Sequence, residues 1–194
     1  MSLYIATLAE LKSDLGIADT NDDAALTRLM EGLQGRFDSH LNRTLLRGAD
    51  VEEVFDGGLT QLPLARFPVE SVSAVYEDLD GEFPAGSLIE EYRVHLARGL
   101  VMRDDGRPWN DGVRCIKVVY TGGYVAAGST PGAGQEAMPE DLRRAFLMQA
   151  CFEWRNRTTL GKSNISAQGI SVAISPARFL PEVSDCLAPL RRLV

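Results

Sequence analysis

Few side chains in this sequence have the types and spacing that enzyme chemistry requires. The chain has two histidines, His40 and His95, and neither lies near a cysteine or a second histidine at the spacing of metal ligands. No Gly-x-Ser-x-Gly turn offers a nucleophilic serine. We therefore expect structural or surface roles for both histidines, and we predict neither a catalytic residue nor a metal site.

Two short segments resemble parts of ligand-binding loops. Gly161-Lys162-Ser163 matches the end of a phosphate-binding loop, but Asn156 stands where that motif needs glycine, and a predicted helix precedes it instead of a strand. Glu77, Asp78 and Asp80 crowd one turn, yet they lack the alternating oxygen ligands and distal glutamate of a calcium loop. We interpret these segments as a chance match and a solvated hairpin turn, and we predict no cofactor.

The cysteines indicate a reducing environment. Cys115, Cys151 and Cys186 are far apart and form no Cys-x-x-Cys pair, so we expect them to be small core residues. No stretch approaches the roughly 20 apolar residues of a membrane-spanning helix, and the N-terminal residues carry no basic leader. The sequence predicts a protein that neither spans a membrane nor is secreted.

Charge is distributed unevenly along the 194 residues, whose net charge is −7. Residues 1–60 carry 5 basic and 11 acidic side chains, residues 61–135 carry 7 and 10, and residues 136–194 carry 8 and 6. A net acidic chain lacks the basic surface of a dedicated DNA-binding protein. The polarity favours either head-to-tail contact between subunits or merely a solvated acidic helix, and the sequence leaves both open.

Helices are predicted at both ends of the chain, over residues 7–15, 20–41 and 139–158 and from Pro181 to the C-terminus. Thr7 and Glu10 form a capping box, in which each side chain accepts a backbone N–H of the first turn. Pro139 stands where a first helical residue belongs. Apolar residues at three- and four-residue spacing give the second helix one buried face.

The middle of the chain has the period of β-strands. Apolar and polar residues alternate over residues 72–76, 92–96 and 116–120, and Asp-Gly dipeptides between them suit turns. Residues 165–174 alternate as well and could form a ribbon or an arm. The sequence thus predicts a single α+β domain: an antiparallel helical bundle of residues 1–48 and 136–194, a small antiparallel β-sheet inserted at about 49–125, and a mobile glycine-rich loop at 122–134.

Several short motifs follow one another in an order that resembles the head-tail connector, or adaptor, family of long-tailed bacteriophages and prophages. Leu190 stands where that family has an aromatic residue. The motifs span nearly the whole chain; they are Leu8-Ala9-Glu10-Leu11-Lys12, Phe67-Pro68-Val69-Glu70-Ser71-Val72, Val118-Val119-Tyr120-Thr121-Gly122-Gly123-Tyr124, Met138-Pro139-Glu140-Asp141-Leu142 and Leu187-Ala188-Pro189-Leu190-Arg191-Arg192-Leu193.

The resemblance implies a structural protein without catalysis. Such a protein forms a cyclic, typically dodecameric ring beneath the portal, extends the DNA channel, and offers a platform to a tail or stopper protein. It is expected in the host cytoplasm during assembly and then in the virion neck. The resemblance also implies a portal-docking element at the C-terminus, comprising Leu190, Arg191, Arg192, Leu193 and Val194; the alternative is a helix that packs only on its own bundle.

Charge at opposite ends of the chain indicates candidate subunit contacts. The residues are Asp22 and Asp23 at the start of the second helix and Arg143, Arg144, Arg155 and Arg157 on the third. Two other functions stay open. One is a small cytoplasmic enzyme or ligand-binding protein with a pocket between sheet and helices, which a buried carboxylate of raised pKa would favour. The other is a different neck or tail-completion protein of the same virion.

Overall fold

The computed structural model describes residues 4–157, 164–167, 170–173 and 179–192. Contacts within the chain divide it into two units. The helical unit comprises residues 1–42 and 138–194, and the sheet unit comprises residues 43–137. That the whole chain behaves as a single domain stays a prediction.

The helical unit begins with α1 (Leu8–Leu15) and α2 (Asp23–Leu41). α1 starts at the predicted capping box, where the Glu10 N–H donates to the Thr7 hydroxyl at 3.2 Å and the Thr7 N–H donates to the Glu10 carboxylate at 2.8 Å. Each bond satisfies a backbone donor that the first helical turn leaves without a partner. The capping box is therefore confirmed.

The other two helices start beside prolines. α3 (Glu140–Arg155) begins one residue after Pro139, which was predicted as its first residue but is non-helical with ψ 136°, and it ends three residues before the predicted Thr158. α4 (Pro181–Leu187) begins with its proline, as predicted. Proline suits a first turn because its missing N–H has no partner there and its fixed φ is already helical.

The predicted helix over the last residues is wrong. Ala188–Leu190 form one 3₁₀ turn, and Arg191 is extended, with φ −69° and ψ 130°. Pro189 has no N–H to continue α-helical hydrogen bonding. The Arg192 N–H donates to the Leu41 carbonyl at 2.9 Å instead, while Leu193 and Val194 lie outside the described residues.

Aromatic packing marks the centre of the helical unit. Phe37 of α2 packs edge to face on Phe146 of α3 and on Phe179, with ring centroids 5.4 and 5.2 Å apart. Aliphatic side chains surround these rings and are fully buried; they are Leu11, Leu26, Met30, Leu41, Leu142, Ala150, Val183 and Leu187. The predicted apolar face of the second helix is thus the face that packs inward.

The sheet unit contains two antiparallel sheets rather than the predicted one. Strands β1, β7, β3 and β4 form the larger sheet in that order, and β2, β6 and β5 form the smaller. Their bounds are β1 Gly48–Phe55, β2 Leu62–Pro63, β3 Val69–Glu77, β4 Leu88–Ile89, β5 Tyr92–His95, β6 Leu100–Arg103 and β7 Ile116–Gly122. β2 pairs only with β6, which suits its proline, since proline cannot donate to a second neighbour.

One hydrophobic core lies within the sheet unit. Trp109, although it belongs to a connecting segment, is almost fully buried among the strand residues. The buried members of this core are Leu62, Leu64, Val69, Val75, Val101, Trp109, Cys115, Ile116, Val118 and Tyr120. Alternate residues of β7 enter it, as the predicted period of two requires.

The glycine-rich segment begins differently from the prediction. Gly122 is the last residue of β7, where it pairs with Gly48 and Val69, and Gly123 is buried as well. A Cβ on Gly123, whose φ is +97°, would lie 2.7 Å from the Leu46 carbonyl oxygen. Glycine is needed here because two backbones approach closely, so the start of the predicted mobile loop belongs to the folded sheet unit.

A β-ribbon follows α3 in sequence. β8 (Asn164–Ala167) pairs with β9 (Ile170–Ala173) in antiparallel register. Of the two alternatives for this segment, the structure therefore has the ribbon, while Ile174 lies outside the described residues.

Candidate functional site

The residues with enzyme-like chemistry are dispersed. His40 packs edge to face on Phe179 at 5.1 Å, and His95 is exposed at the end of β5. In the ranges that the structure describes, no three His, Cys, Asp or Glu side chains are grouped to hold a metal ion. Among the same residues, no helix combines the length and apolarity that crossing a bilayer demands. Lys162 lies outside these ranges.

In the acidic turn after β3, the Asp78 carboxylate accepts hydrogen bonds from the backbone of the turn. Asp78 accepts the N–H groups of Phe83 at 2.8 Å, Glu82 at 2.9 Å and Asp80 at 3.4 Å. These bonds, that of Phe83 first, hold the pKa of Asp78 below its ordinary value. The carboxylate orders a tight turn, in agreement with the hairpin interpretation.

The predicted interface acids lie together at the start of α2. Asp23 forms an ion pair with Lys12 of α1, with 2.5 Å between Nζ and Oδ1. Asp22 is the residue before the helix and makes no side-chain capping bond. One of the two charges is thus matched within the helical unit.

Most of the predicted interface arginines have intramolecular partners. Arg143 pairs with Glu10 at 3.2 Å and Glu140 at 2.6 Å. Arg157 donates to the Trp154 carbonyl and places its guanidinium 4.1 Å from the centroid of the Trp154 ring.

Two arginines of α3 remain. Arg155 donates to the Asp14 carbonyl at 3.2 Å. Arg144 is exposed and has no ion-pair partner among the described residues. Of the four predicted interface cations, Arg143 is the one that forms ion pairs among the described residues, whereas Arg155 and Arg157 donate to neutral carbonyls.

The predicted docking residues lie past the end of α4. Leu190 is half-buried at the end of the 3₁₀ turn, Arg191 is exposed, and Arg192 is partly buried beside the end of α2. The structure therefore presents Arg191 on an extended backbone segment, not on a helix face. Leu193 and Val194 are not among the residues described.

An open groove of about 500 Å³ runs along α3 of the helical unit. We call it the α3 groove. Its floor includes Leu147, Met148 and Phe152, and the last two keep 37% and 36% of their surface exposed. Charged residues of α1 and α3 flank it; they are Glu10, Asp14, Glu140, Arg143, Arg144 and Arg155. Three of the predicted interface arginines thus meet here, whereas Asp22, Asp23 and Arg157 lie outside its lining.

The electrostatics of the groove differ from those of an acid-base site. Partial burial alone would raise the pKa of Glu10, but the Thr7 N–H and hydroxyl donate to its carboxylate and Arg143 lies beside it. The pKa of Glu10 is therefore held below its ordinary value. Burial raises the pKa of the Cys151 thiol in the same groove, so this cysteine is a poor nucleophile at neutral pH.

A second exposed apolar surface lies at one end of the larger sheet. β1 and β3 end where β7 begins, because both run antiparallel to it: Phe55 and Glu77 are each paired with Ile116. The turns of residues 56–61, 78–82 and 110–114 meet there, and we call them the sheet tip. Leu79 and Val113 expose 65% and 79% of their surface, and Leu59 is exposed beside them.

Backbone bonds hold the sheet tip together. The Gly57 N–H donates to the Gly112 carbonyl at 2.7 Å, and the Arg114 N–H donates to the Asp56 carboxylate at 2.7 Å. The Asp-Gly dipeptides at residues 80–81 and 111–112 predict turns here but not this exposed apolar surface. The available signal was aliphatic residues inside Asp-Gly turns, where polar residues are the rule.

Comparison with known proteins gives structures but no sequence family. No family model and no curated protein matches the chain. A chain in the neck of the empty gene transfer agent (GTA) particle, computed with C6 symmetry, matches with a TM-score of 0.63 and 17% identity, over 100% of this chain and 94% of that one. This chain shares the fold of a GTA neck chain.

Two further structures of GTA particles match the whole chain. The neck of the native GTA particle, computed with C12 symmetry, matches with a TM-score of 0.57 and 17% identity, over 100% of this chain and 97% of that one. The virion of the native particle matches with a TM-score of 0.53 and 18% identity, over 100% and 94%. Because both units lie inside these matches, the predicted α+β class is confirmed.

Proposed function

We propose that this chain is a structural protein of the neck of a phage-like particle, a head-tail connector that lies between portal and tail. The observation that carries the proposal is the match of the neck fold over 100% of the chain, helical and sheet units together. The independent order of sequence motifs that resembles the connector family supports it.

The connector acts as a ring of identical subunits. GTA neck structures computed with C6 and C12 symmetry support a closed ring, and twelve copies is the expected number. A cyclic ring needs a heterologous contact, in which two different surfaces of the same chain meet. The exposed guanidinium of Arg144, which lies beside the α3 groove and has no ion-pair partner among the described residues, supports a role for that residue in such a contact.

The ring extends the channel through which DNA passes. The net charge of −7 supports passage without specific binding, because an acidic wall repels phosphate and releases no counterions from it. An assembled ring whose channel wall is lined with arginines would contradict this part of the proposal. The chain assembles in the host cytoplasm and remains in the virion neck, between the portal and a tail or stopper protein.

This function involves no catalysis and no cofactor. The enzyme alternative called for a pocket between sheet and helices with a buried carboxylate of raised pKa, whereas the structural matches are to chains of a particle neck. The function is tested by mixing the purified chain with the portal protein encoded beside it. Rings stacked on portals in electron micrographs are the expected result; free portals and free chains at saturating concentrations would refute the proposal.

The C-terminal residues dock on the portal, where the guanidinium of Arg191 pairs with an acidic group. Deleting residues 190–194 is expected to abolish portal binding, measured by co-sedimentation. The unfolding temperature should change little, because Arg191 is exposed, Leu190 is only half-buried, and the loss includes two backbone bonds, from Arg191 to Ala188 and from Arg192 to Leu41. Arg93→Glu, an equally large charge change at an exposed site of the sheet unit, is the control and should bind normally. A truncated chain that still binds would overturn the docking assignment.

A further inference from the structure

Two apolar surfaces are exposed among the residues that the structure describes. The α3 groove offers Met148 and Phe152, and the sheet tip offers Leu79 and Val113. Clustered apolar side chains that a folded protein leaves in water mark contact surfaces for other molecules. The two surfaces lie on different units of the chain.

The sheet tip is strongly acidic. Its three turns carry five carboxylates and one guanidinium, those of Asp56, Asp78, Asp80, Glu82, Asp111 and Arg114. Asp56 and Asp78 accept backbone N–H groups within the tip. The carboxylates of Asp80, Glu82 and Asp111 are exposed and have no ion-pair partner among the described residues.

The α3 groove places an unpaired guanidinium beside its apolar floor. Of the three acids that flank the groove, Glu10 and Glu140 are both engaged by Arg143, and Asp14 has no ion-pair partner among the described residues. Arg144 has no such partner in the described part of the chain either, and Arg155 uses its guanidinium on the neutral main-chain carbonyl of Asp14. The exposed guanidinium of Arg144 beside an apolar floor fits an exposed apolar tip with unpaired carboxylates.

We propose that the sheet tip of one copy seats in the α3 groove of the next copy. Leu79 and Val113 cover Met148 and Phe152, and Arg144 faces the carboxylates of the tip. This inference rests on the proposed ring and names the surfaces that form it. The backbone bonds that order the tip reduce the entropy lost on seating.

Such a contact is heterologous, since a groove meets a tip rather than another groove. Each added copy leaves one groove and one tip free, so association continues until the ring closes. A two-fold contact between identical surfaces would stop at a dimer. This difference makes the proposal testable with two kinds of labelled copy.

The test mixes copies that each carry one accessible cysteine. Cys151 and Cys186 are replaced by serine in all variants, and the fully buried Cys115 is kept. One variant carries Val113→Cys on the tip, and the other carries Met148→Cys in the groove with a tag of different mass. The two are mixed with portal and treated with a short bis-maleimide.

The expected result is a cross-linked dimer of one tip variant and one groove variant, absent when either variant is treated alone. Leu96→Cys is the control for the tip, because Leu96 is exposed but lies far from the tip. Its 3₁₀ turn ends at Gly99, which packs on Phe67 just before β3 begins, whereas the tip lies where β3 ends. Dimers of Val113→Cys alone, or no product from the mixture, would overturn the proposal. Arg144→Glu should reduce the product about fivefold, and Asp80→Arg in the other copy should restore it.

Electron micrographs of the same mixtures separate this inference from the proposed function. Rings on portals without the mixed cross-link would overturn the tip-in-groove contact and leave the connector function standing. The mixed cross-link without rings or portal binding would support the contact and refute the connector function.

Discussion

Gln149 joins three parts of the helical unit through one buried amide. Its Nε2 donates to the Glu153 carboxylate at 2.7 Å, and its Oε1 accepts the Leu180 N–H at 2.9 Å. Arg36 of α2 pairs with the same carboxylate. Only 1% of Gln149 is exposed. Because a buried polar group without a partner costs its full desolvation energy, this amide fixes where the segment before α4 meets α3.

We expect Gln149→Leu to lower the free energy of unfolding by about 3 kcal/mol, since it leaves the Leu180 N–H unpaired and removes a donor from Glu153. Urea unfolding followed by circular dichroism measures the change. Gln61→Leu, at an exposed site, is the matched control and should cost less than about 0.5 kcal/mol. Equal effects of the two substitutions would contradict the role given to the amide.

The capping box makes the stability of α1 depend on pH. The lowered pKa of Glu10 means that the folded protein favours the carboxylate. Its stabilisation is complete above the unfolded value of 4.5 and is lost as the pH falls through the lower folded value. Glu10→Gln should therefore lower the unfolding temperature at pH 7, and the difference from wild type should shrink at about pH 3. Glu52→Gln, the same substitution at an exposed site, is the matched control for the change of side chain. A constant difference for Glu10→Gln would exclude the ionic contribution.

Elements that depend on local chemistry could be predicted from the sequence. The capping box at Thr7 and the prolines at 139 and 181 start their helices because the required groups lie within one turn. The end of the chain could not be predicted in the same way. The Arg192 N–H finds its acceptor at Leu41, which is distant in sequence.

In the candidate site too, features set by nearby residues could be predicted, whereas features set by residues distant in sequence could not. Charge on α3 was visible in the sequence, but the engagement of Arg143 by Glu10 depends on how α1 packs. The convergence of Leu79 and Val113 depends on strand order and register, which no local pattern specifies. The residues could be named in advance, whereas the surfaces they form could not.

Gly123, the residue directly after β7, is predicted to be essential for the stability of the sheet unit. We expect Gly123→Ala to destabilise the sheet unit by about 3 kcal/mol, because the new Cβ would meet the Leu46 carbonyl oxygen. Gly134→Ala has a similar positive φ of +76° with open space around it, and should cost about 1 kcal/mol. Chemical denaturation compares them. Equal costs would show that only the backbone conformation matters at Gly123.

At the scale of the whole molecule, each unit carries its own tryptophan. Trp109 is buried in the sheet unit and Trp154 in the helical unit. If the 194 residues form a single domain, both units unfold in one transition. In Trp154→Phe and Trp109→Phe variants, fluorescence of the remaining indole should therefore change at the same urea concentration as the circular dichroism of that variant. Separate midpoints would divide the chain into two domains.

The sheet unit starts and ends at one place. Leu46 is bridged to Tyr124, and the next residue, Val125, is bridged to Ala137, the last residue of that unit. A segment whose two ends are neighbours can be lengthened, shortened or exchanged without rerouting the chain on either side. A gene that encodes this protein can therefore vary the inserted sheets by recombination while it keeps the flanking helices, and the two parts can evolve at different rates.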